Sequence, residues 1–157
     1  MESPVILRLN KDALAAVHAH AARAFPEECC GLLAGPLPED FGSSSALLAP
    51  VETVPLENAA SSDVRRNRFT FDARAFARAE RALEERGLGV LGIYHSHPQA
   101  PAWPSPFDLE NAWPSYAYLI VSVRDAVAVD ARVWALSSDR RSFLEGTVEI
   151  QESLCPS

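Results

Sequence analysis

Short runs of apolar residues recur along the chain, separated by polar or proline-rich stretches, and this pattern is typical of β-strands joined by loops. A central run, Leu88-Gly-Val-Leu-Gly-Ile-Tyr94, has the composition of a buried strand whose small residues let neighbouring backbones approach closely. Other apolar runs predict strands at residues 4–9, 30–34, 46–56, 116–123, 128–136 and 146–150. We expect Pro50 and Pro55 to break the third of these, and a turn at 124–126 to join two strands as a hairpin.

Two longer segments repeat their apolar residues with the period of an α-helix. The first covers residues 11–24 and follows Asn10, whose side chain can accept a hydrogen bond from the first turn. The second starts after Asp72, another N-cap residue, and runs to about Arg86. Its charged residues, Glu80 among them, are predicted to form a solvated outer face.

This order of elements predicts a mixed α/β fold, an α+β sheet flanked by helices, because the helices are separated by strands and the strands outnumber them. A chain of 157 residues is long enough to bury a hydrophobic core. The sequence has no internal repeat, so we expect one domain over residues 1–157.

The charge balance bears on possible partners. Lys and Arg number 14 against 21 Asp and Glu, a net charge of -7, which argues against nucleic acid as a partner because phosphate binding needs concentrated positive charge. No apolar run is long enough to span a membrane, and no export signal is recognisable. We therefore expect a cytoplasmic protein whose three cysteines are reduced thiols.

The chemically distinctive stretch directly follows the central apolar run. His95 and His97 are two residues apart, so a strand or its extended exit places both imidazoles on one face. After seven intervening residues, Ser105 opens a predicted short helix at 105–112, and Asp108 lies three positions further on. His95, His97 and Asp108 can surround one ion and leave a fourth position for water, which is the arrangement of a catalytic zinc site. A capping box is a second, compatible explanation for Ser105 and Asp108.

Two carboxylates, Glu27 and Glu28, stand immediately before the apolar strand at 30–34. Taken alone, both would be solvated loop residues. If a metal lies nearby, one of them is a candidate general base for water.

The remaining histidines and cysteines are given structural interpretations. His18 and His20 lie on the first helix, where a separation of two residues points them in different directions, so we expect both to be solvated. Cys29 and Cys30 lack the C-x-x-C spacing with which two sulfurs grip one zinc ion, and they are interpreted as small buried hydrophobes.

With these residues in view, the chain resembles the JAMM (MPN-plus) zinc metalloproteases. The family motif is an upstream Glu, then His-Ser/Thr-His-Pro, then Ser-x-x-Asp after a fixed spacing, and this chain reproduces it in full. It also resembles the small prokaryotic branch of the family in residues 26–33, in the loop at Asn58, and in Arg68-Phe69 ahead of the second helix. The resemblance extends from about residue 9 to residue 150.

The resemblance implies a cytidine-deaminase-like JAB/MPN domain with Zn²⁺ held by His95, His97 and Asp108. It also implies that Glu28 is the general acid/base, with Ser105 stabilising the oxyanion. A deaminase proper is disfavoured, because it would need H-x-E together with P-C-x-x-C, and neither occurs.

The substrate class is likewise an implication of the resemblance. Family members cleave the peptide or isopeptide bond after the C-terminal Gly-Gly of ubiquitin-like or sulfur-carrier proteins, and such a tail would lie as an added strand in a narrow groove. The compact loops favour the role of the prokaryotic branch, which is to release a sulfur-carrier conjugate or an amino acid added to the carrier's C-terminus. The alternatives are a non-catalytic MPN-type scaffold and, more weakly, a structural zinc domain. The oligomeric state stays open.

Overall fold

The computed structural model describes residues 4–42 and 46–152, and within them the chain forms nine strands and three helices. In chain order the elements are β1 (Ile6–Asn10), α1 (Lys11–Ala24), β2 (Cys30–Gly35), β3 (Leu47–Leu48), β4 (Glu52–Leu56), α2 (Ala73–Glu84), β5 (Gly89–Pro98), α3 (Pro106–Asn111), β6 (Ala117–Arg124), β7 (Val127–Leu136), β8 (Phe143–Glu145) and β9 (Thr147–Gln151). The Pro-, Gly- and Ser-rich stretch 37–45 predicts an exposed loop, and its last residues, 43–45, lie outside the described residues.

The predicted central strand, β5, lies inside a six-stranded sheet of order β4-β2-β5-β6-β7-β8. It pairs antiparallel with β2 and parallel with β6. Two glycines in these strands lie where neighbouring atoms leave no room for a Cβ. A Cβ at Gly92 would lie 2.6 Å from the carbonyl oxygen of Ala117, and one at Gly31 would overlap the ring of Tyr94.

Each face of this sheet is covered by one of the two longer helices. On one face α1 packs together with the second, three-stranded sheet (β3-β1-β9) in a core that includes Val17, Leu91 and Leu119. On the other face, apolar residues of α2 such as Leu83 pack against Leu32, Ile93 and Tyr118. The prediction of a mixed α/β sheet flanked by helices is confirmed.

The predicted helix starts are confirmed in detail. Asn10 Oδ1 accepts from the backbone N–H of Ala13, and Asp72 Oδ1 accepts from Arg74 and Ala75. The β6–β7 hairpin turns at residues 125–126, close to the predicted turn. Within the described residues, no helix has both the length and the apolar character needed to cross a membrane.

One strand prediction was wrong, and one strand was not predicted. Pro55 does not break its strand, because β4 lies at the edge of the sheet, where a proline without an N–H is tolerated. β8 was not predicted. It is only three residues long, and Gly146, whose missing Cβ leaves room for Val5, separates it from β9.

The prediction that His18 and His20 are solvated was also wrong, since both are half-buried. A 2.7 Å hydrogen bond joins His20 Nδ1 to the hydroxyl of Tyr94, which reaches α1 from β5. His18 Nε2 is buried without a hydrogen-bond partner among the described residues. Burial lowers the pKa of both imidazoles.

Candidate metal centre

Strand register brings the upstream glutamate to the two histidines. His95 and His97 both lie on β5, and Cys30 of β2 pairs with His95. Because the two strands are antiparallel, the register continues backwards along the chain and sets Glu28 opposite His97. Side chains opposite each other point to the same face, here the face covered by α2. Glu28, His95 and His97 offer ligand atoms that all lie within 4.8 Å of one another.

A second carboxylate reaches the histidine pair from α3. Asp108 Oδ2 lies 3.3 Å from His95 Nε2 and 3.1 Å from His97 Nε2, and the two nitrogens are 3.1 Å apart. All three residues are buried, with His95 only 1% exposed. Three potential ligand atoms therefore converge on one point.

The tautomer of His97 is fixed by its other nitrogen. Nδ1 lies 2.9 Å from the carbonyl oxygen of Pro101, which can only accept, so Nδ1 carries the proton and donates it. In the neutral ring, Nε2 then presents a lone pair toward His95 and Asp108. A backbone carbonyl is one of the common hydrogen-bond partners for the second ring nitrogen of a metal-ligating histidine.

The surroundings of the site favour an ionised Asp108 and a neutral His95, which are the forms that bind cations. Burial works against the charged form of Asp108, but the two imidazoles and the Ser105 N–H hold the pKa of the carboxyl below its usual range. Burial lowers the pKa of His95, against the opposing effect of Asp108, which favours the neutral ring. The ring of Phe69 stacks on His95 with 4.5 Å between centroids.

The carboxyl group of Glu28 is deeply buried, which is uncommon for an acidic side chain. It is 4% exposed, and its Oε1 has no hydrogen-bond partner among the described residues. Burial, with the charge of Asp108 adding to it, raises the pKa of Glu28 to about 9. By contrast, its neighbour Glu27 is half-buried and lies outside the cluster of ligand atoms.

The backbone around Glu28 is held from several sides. Its N–H donates to the carbonyl of Arg65 at 2.7 Å, and its own carbonyl accepts from Asn58 Nδ2 at 3.1 Å. The following residue, Cys29, donates from its N–H to Ser96 Oγ at 2.8 Å. Ser96 lies between the two histidines, so one side chain ties the Glu28 segment to β5.

Asn58 connects this segment to the loop that covers the site. Besides Glu28, its Nδ2 donates to the carbonyl of Arg68, and its Oδ1 accepts from the N–H groups of Ala60 and Thr70. One side chain therefore closes the 58–70 loop, which carries Phe69 over His95. The sequence pointed to this loop only through the family resemblance, and Asn58 was not predicted as a site residue.

Ser105 caps α3 as predicted. Its Oγ accepts from the Asp108 N–H at 3.0 Å, and its own N–H donates to Asp108 Oδ2 at 2.9 Å. The capping interaction uses a lone pair of the hydroxyl and leaves the O–H to donate. The capping box and the placement of Asp108 beside the histidines therefore coexist.

The two adjacent cysteines are buried free thiols, as predicted. Burial raises the pKa of Cys29 to about 11 and that of Cys30 further above its ordinary value. Both stay protonated near neutral pH, which disfavours a role as nucleophile or metal ligand.

A cavity of about 520 Å³ opens beside His95 and Asp108, within the size range of ligand pockets. Aromatic rings from the 69–76 segment, α3 and β6 line much of it. Glu80 lines it as well and is half-buried, so the prediction that this residue belongs to a solvated face was wrong. The period of α2 places Glu80 one turn after Phe76, on the side that faces the cavity.

Comparison with known proteins defines the class. Residues 10–137 match the family model for prokaryotic homologs of the JAB domain, and the chain belongs to that family. The predicted family and JAB/MPN fold are thereby confirmed.

Three similar proteins carry names that describe an enzymatic activity. This chain is 34% identical over 121 residues to the CysO-cysteine peptidase of Mycobacterium tuberculosis, covering 76% of this chain and 75% of that protein. It is 34% identical over 116 residues to a probable TtuB-protein conjugate cleaving protease of Thermus thermophilus, with coverages of 74% and 70%. A desampylase of Haloferax volcanii matches at 34% over 122 residues, with coverages of 74% and 80%.

Solved structures support the same fold. A protein from Desulfitobacterium hafniense superposes with a TM-score of 0.79 at 30% identity, covering 95% of both chains. A JAB1/MPN domain protein from Archaeoglobus fulgidus shares the fold with a TM-score of 0.54 at 19% identity, over 90% of this chain and 98% of that one.

Proposed function

We propose that this chain is a zinc-dependent cytoplasmic peptidase that hydrolyses the peptide or isopeptide bond after the C-terminal Gly-Gly of a ubiquitin-like or sulfur-carrier protein. One observation carries the metal part of the proposal. Two imidazole nitrogens and an anionic carboxylate oxygen converge within 3.3 Å in a buried site. A cation at this point would meet a lone pair from each of the three groups.

The donor set fits zinc. In tetrahedral coordination, ligand atoms about 2.0–2.2 Å from zinc lie about 3.3–3.6 Å from one another. The three separations here, 3.1, 3.1 and 3.3 Å, lie at or just below that range. We therefore assign His95, His97 and Asp108 as the ligands, and three protein ligands leave a coordination position for water or substrate.

Glu28 is proposed as the general acid/base. When bound, zinc supplies Lewis acidity, which lowers the pKa of water toward neutrality and polarises an amide carbonyl. The positive charge of bound zinc would favour the ionised form of Glu28, which could then take a proton from the attacking water at Oε1, an atom with no competing partner among the described residues. Glu28 then passes the proton to the leaving nitrogen. Its burial favours holding the proton between these two steps.

Ser105 is proposed to donate its O–H to the carbonyl oxygen of the scissile bond as that oxygen gains charge. Its Oγ accepts from the Asp108 N–H, so helix capping does not occupy the hydroxyl proton. The same contact holds Ser105 beside the ligand set. Asp108 thus serves both the metal and the oxyanion donor.

The substrate class is supported by the names of the relatives. They are called a CysO-cysteine peptidase, a TtuB-protein conjugate cleaving protease and a desampylase. All three names describe cleavage that releases something joined to a protein. A tail ending in Gly-Gly has no side chains at its last two positions and can therefore reach a buried reaction centre along a narrow groove.

The test of the metal site measures zinc content and turnover in the same protein preparations. His95→Ala and Asp108→Ala should lose both zinc and the ability to cleave a carrier fusion after Gly-Gly. Chelation should abolish wild-type cleavage and added zinc should restore it. Near-stoichiometric zinc in the double variant His95→Ala/His97→Ala would refute the ligand assignment.

Glu28→Gln separates catalysis from metal binding, because two carboxylates approach the same histidines. A general base leaves zinc content intact on substitution while turnover falls by about a hundredfold or more. Loss of zinc would make Glu28 a ligand instead. Glu27→Gln is the matched control and should keep both zinc and activity. A zinc-loaded protein that cleaves no carrier fusion would favour the scaffold alternative.

A further inference from the structure

The aromatic cavity beside the metal centre has a charge pattern of its own. Its walls include the rings of Phe69, Phe76, Phe107, Trp113, Tyr116 and Tyr118. Besides its two tyrosines, its ionisable groups are Asp108 and His95, already assigned to the metal, and Glu80 on α2. Among the described residues, no lysine or arginine lines the cavity.

Glu80 lines this cavity together with Trp113 and Tyr116. Within the part of the chain that the structure describes, it takes part in no ion pair. Burial, with a smaller contribution from the charge of Glu80, raises the pKa of Tyr116. Tyr116 in turn packs near Trp113, with 6.4 Å between ring centroids, and Trp113 is 63% exposed at the rim.

Aromatic faces next to an unpaired carboxylate attract cations, because the ring quadrupole and the carboxylate act in the same direction. The cavity wall already shows this preference within the chain. The guanidinium of the exposed Arg68 lies 4.9 Å from the centroid of Phe107 on the side of α3. An apolar side chain in the cavity would pack against the rings, but it would leave the carboxylate of Glu80 partly desolvated and without a charged partner.

We infer that the cavity receives a basic side chain, arginine or lysine, from the tail of the carrier protein within about four residues of Gly-Gly, with its cationic head between Glu80, Tyr116 and Trp113. This inference rests on the proposed function, since the cavity begins at His95 and Asp108, where the scissile bond would lie. The acylated lysine of an isopeptide bond has become an uncharged amide. The tail is therefore the better source of the cation.

The experiment uses short fluorescent peptides that correspond to the product side of the reaction and end in a free Gly-Gly carboxylate. Each carries Arg, Leu or Glu at one of the four positions before Gly-Gly and small uncharged residues elsewhere. Binding to the zinc-loaded protein is followed by fluorescence anisotropy. At one of these positions we expect Arg to bind about tenfold more tightly than Leu, with Glu weakest.

Variants of Glu80 test the origin of that preference. Glu80→Gln should reduce the Arg advantage to about twofold or less, and Glu80→Lys should reverse it in favour of Glu. Glu84→Gln is the matched control, because Glu84 is exposed on the same helix and does not line the cavity. If Glu80→Lys fails to fold, as judged by its melting curve, Glu80→Gln decides the matter alone.

The result that would overturn the inference is an Arg preference that is absent in the wild type or unchanged in Glu80→Gln. Tighter binding of the Leu peptide would instead make the cavity an apolar subsite. Because the peptides are not cleaved, the outcome is independent of the proposed activity. An Arg preference in a protein that cleaves no carrier fusion would refute the peptidase and leave this binding site standing.

Discussion

The buried carboxyl of Glu28 should make the stability of the metal-free protein fall as pH rises. Burial and the charge of Asp108 raise the pKa of this group from 4.5 to about 9 in the folded state. In the unfolded chain the group ionises near its ordinary value. Between these two values the folded protein therefore binds one more proton than the unfolded one.

The sign and size of the effect follow from this difference. A folded-state pKa above the unfolded value gives stability that is complete below the unfolded pKa and is lost as pH rises through the folded pKa. The slope is about 1.4 kcal/mol per pH unit. From pH 4.5 to about 9 the loss amounts to about 6 kcal/mol as an upper limit, and from pH 7 to 8 to about 1.4 kcal/mol.

The window from pH 7 to 8 isolates Glu28 from the other perturbed groups. The pKa values of His18, His20, His95 and Asp108 are lowered in the folded state, so their contributions are nearly complete above the ordinary values of 6.5 for histidine and 3.8 for aspartate. The thiol of Cys29, with an ordinary pKa of 9.0, begins to contribute only above this window.

Urea unfolding of the chelator-treated protein at pH 7.0, 7.5 and 8.0 measures the slope directly. Glu28→Gln has no ionisable group at this position and should give a free energy of unfolding that is nearly independent of pH in this window. Glu27→Gln should keep the wild-type slope. Parallel curves for wild type and Glu28→Gln would refute the reasoning, because they would mean that the carboxyl is already ionised in the folded protein.

Three further predictions concern the support of the site and its substrate. Asn58→Asp keeps the acceptor oxygen but loses both donor contacts, to Glu28 and Arg68, so turnover should fall by about tenfold while zinc is retained. In Asn58→Ala the turnover should fall further. Unchanged kinetics in both variants would exclude a positioning role for Asn58. Gly31→Ala should cost about 2–3 kcal/mol in urea unfolding because its Cβ overlaps the Tyr94 ring, and a neutral result would contradict the packing. Carriers ending in Gly-Val should be cleaved much more slowly than those ending in Gly-Gly, and equal rates would rule out a narrow groove.

The parts of the fold that were predictable depend on local patterns. Alternation along β5 places two histidines on one face, and the spacing from Ser105 to Asp108 defines a helix N-terminus. Both patterns involve residues close in sequence, so their geometry follows from strand and helix periods alone. The cap at Asn10 was predictable for the same reason.

The errors come from contacts between segments that are distant in sequence. His20 is half-buried because Tyr94 reaches it from a strand more than seventy residues away. Glu80 was assigned to solvent from the charge alternation on α2, but the side of a helix that meets a cavity depends on what packs beside it. Pro55 is tolerated only because β4 is at the sheet edge, a fact of topology.

Glu28 shows how the two kinds of information combine. Its position two residues before a buried strand made it a candidate base, but the choice between Glu27 and Glu28 rested on family resemblance. The pairing of Cys30 with His95 supplies the physical reason, because it sets Glu28 opposite His97 on the face where Asp108 arrives. The adjacent Glu27 lies in the turn after α1, where its N–H donates to the carbonyl of Ala24, and it is outside the cluster of ligand atoms. A one-residue slip in this register would exchange the two carboxylates and leave the metal centre without its base, and the hydrogen bond from the Cys29 N–H to Ser96 Oγ opposes that slip.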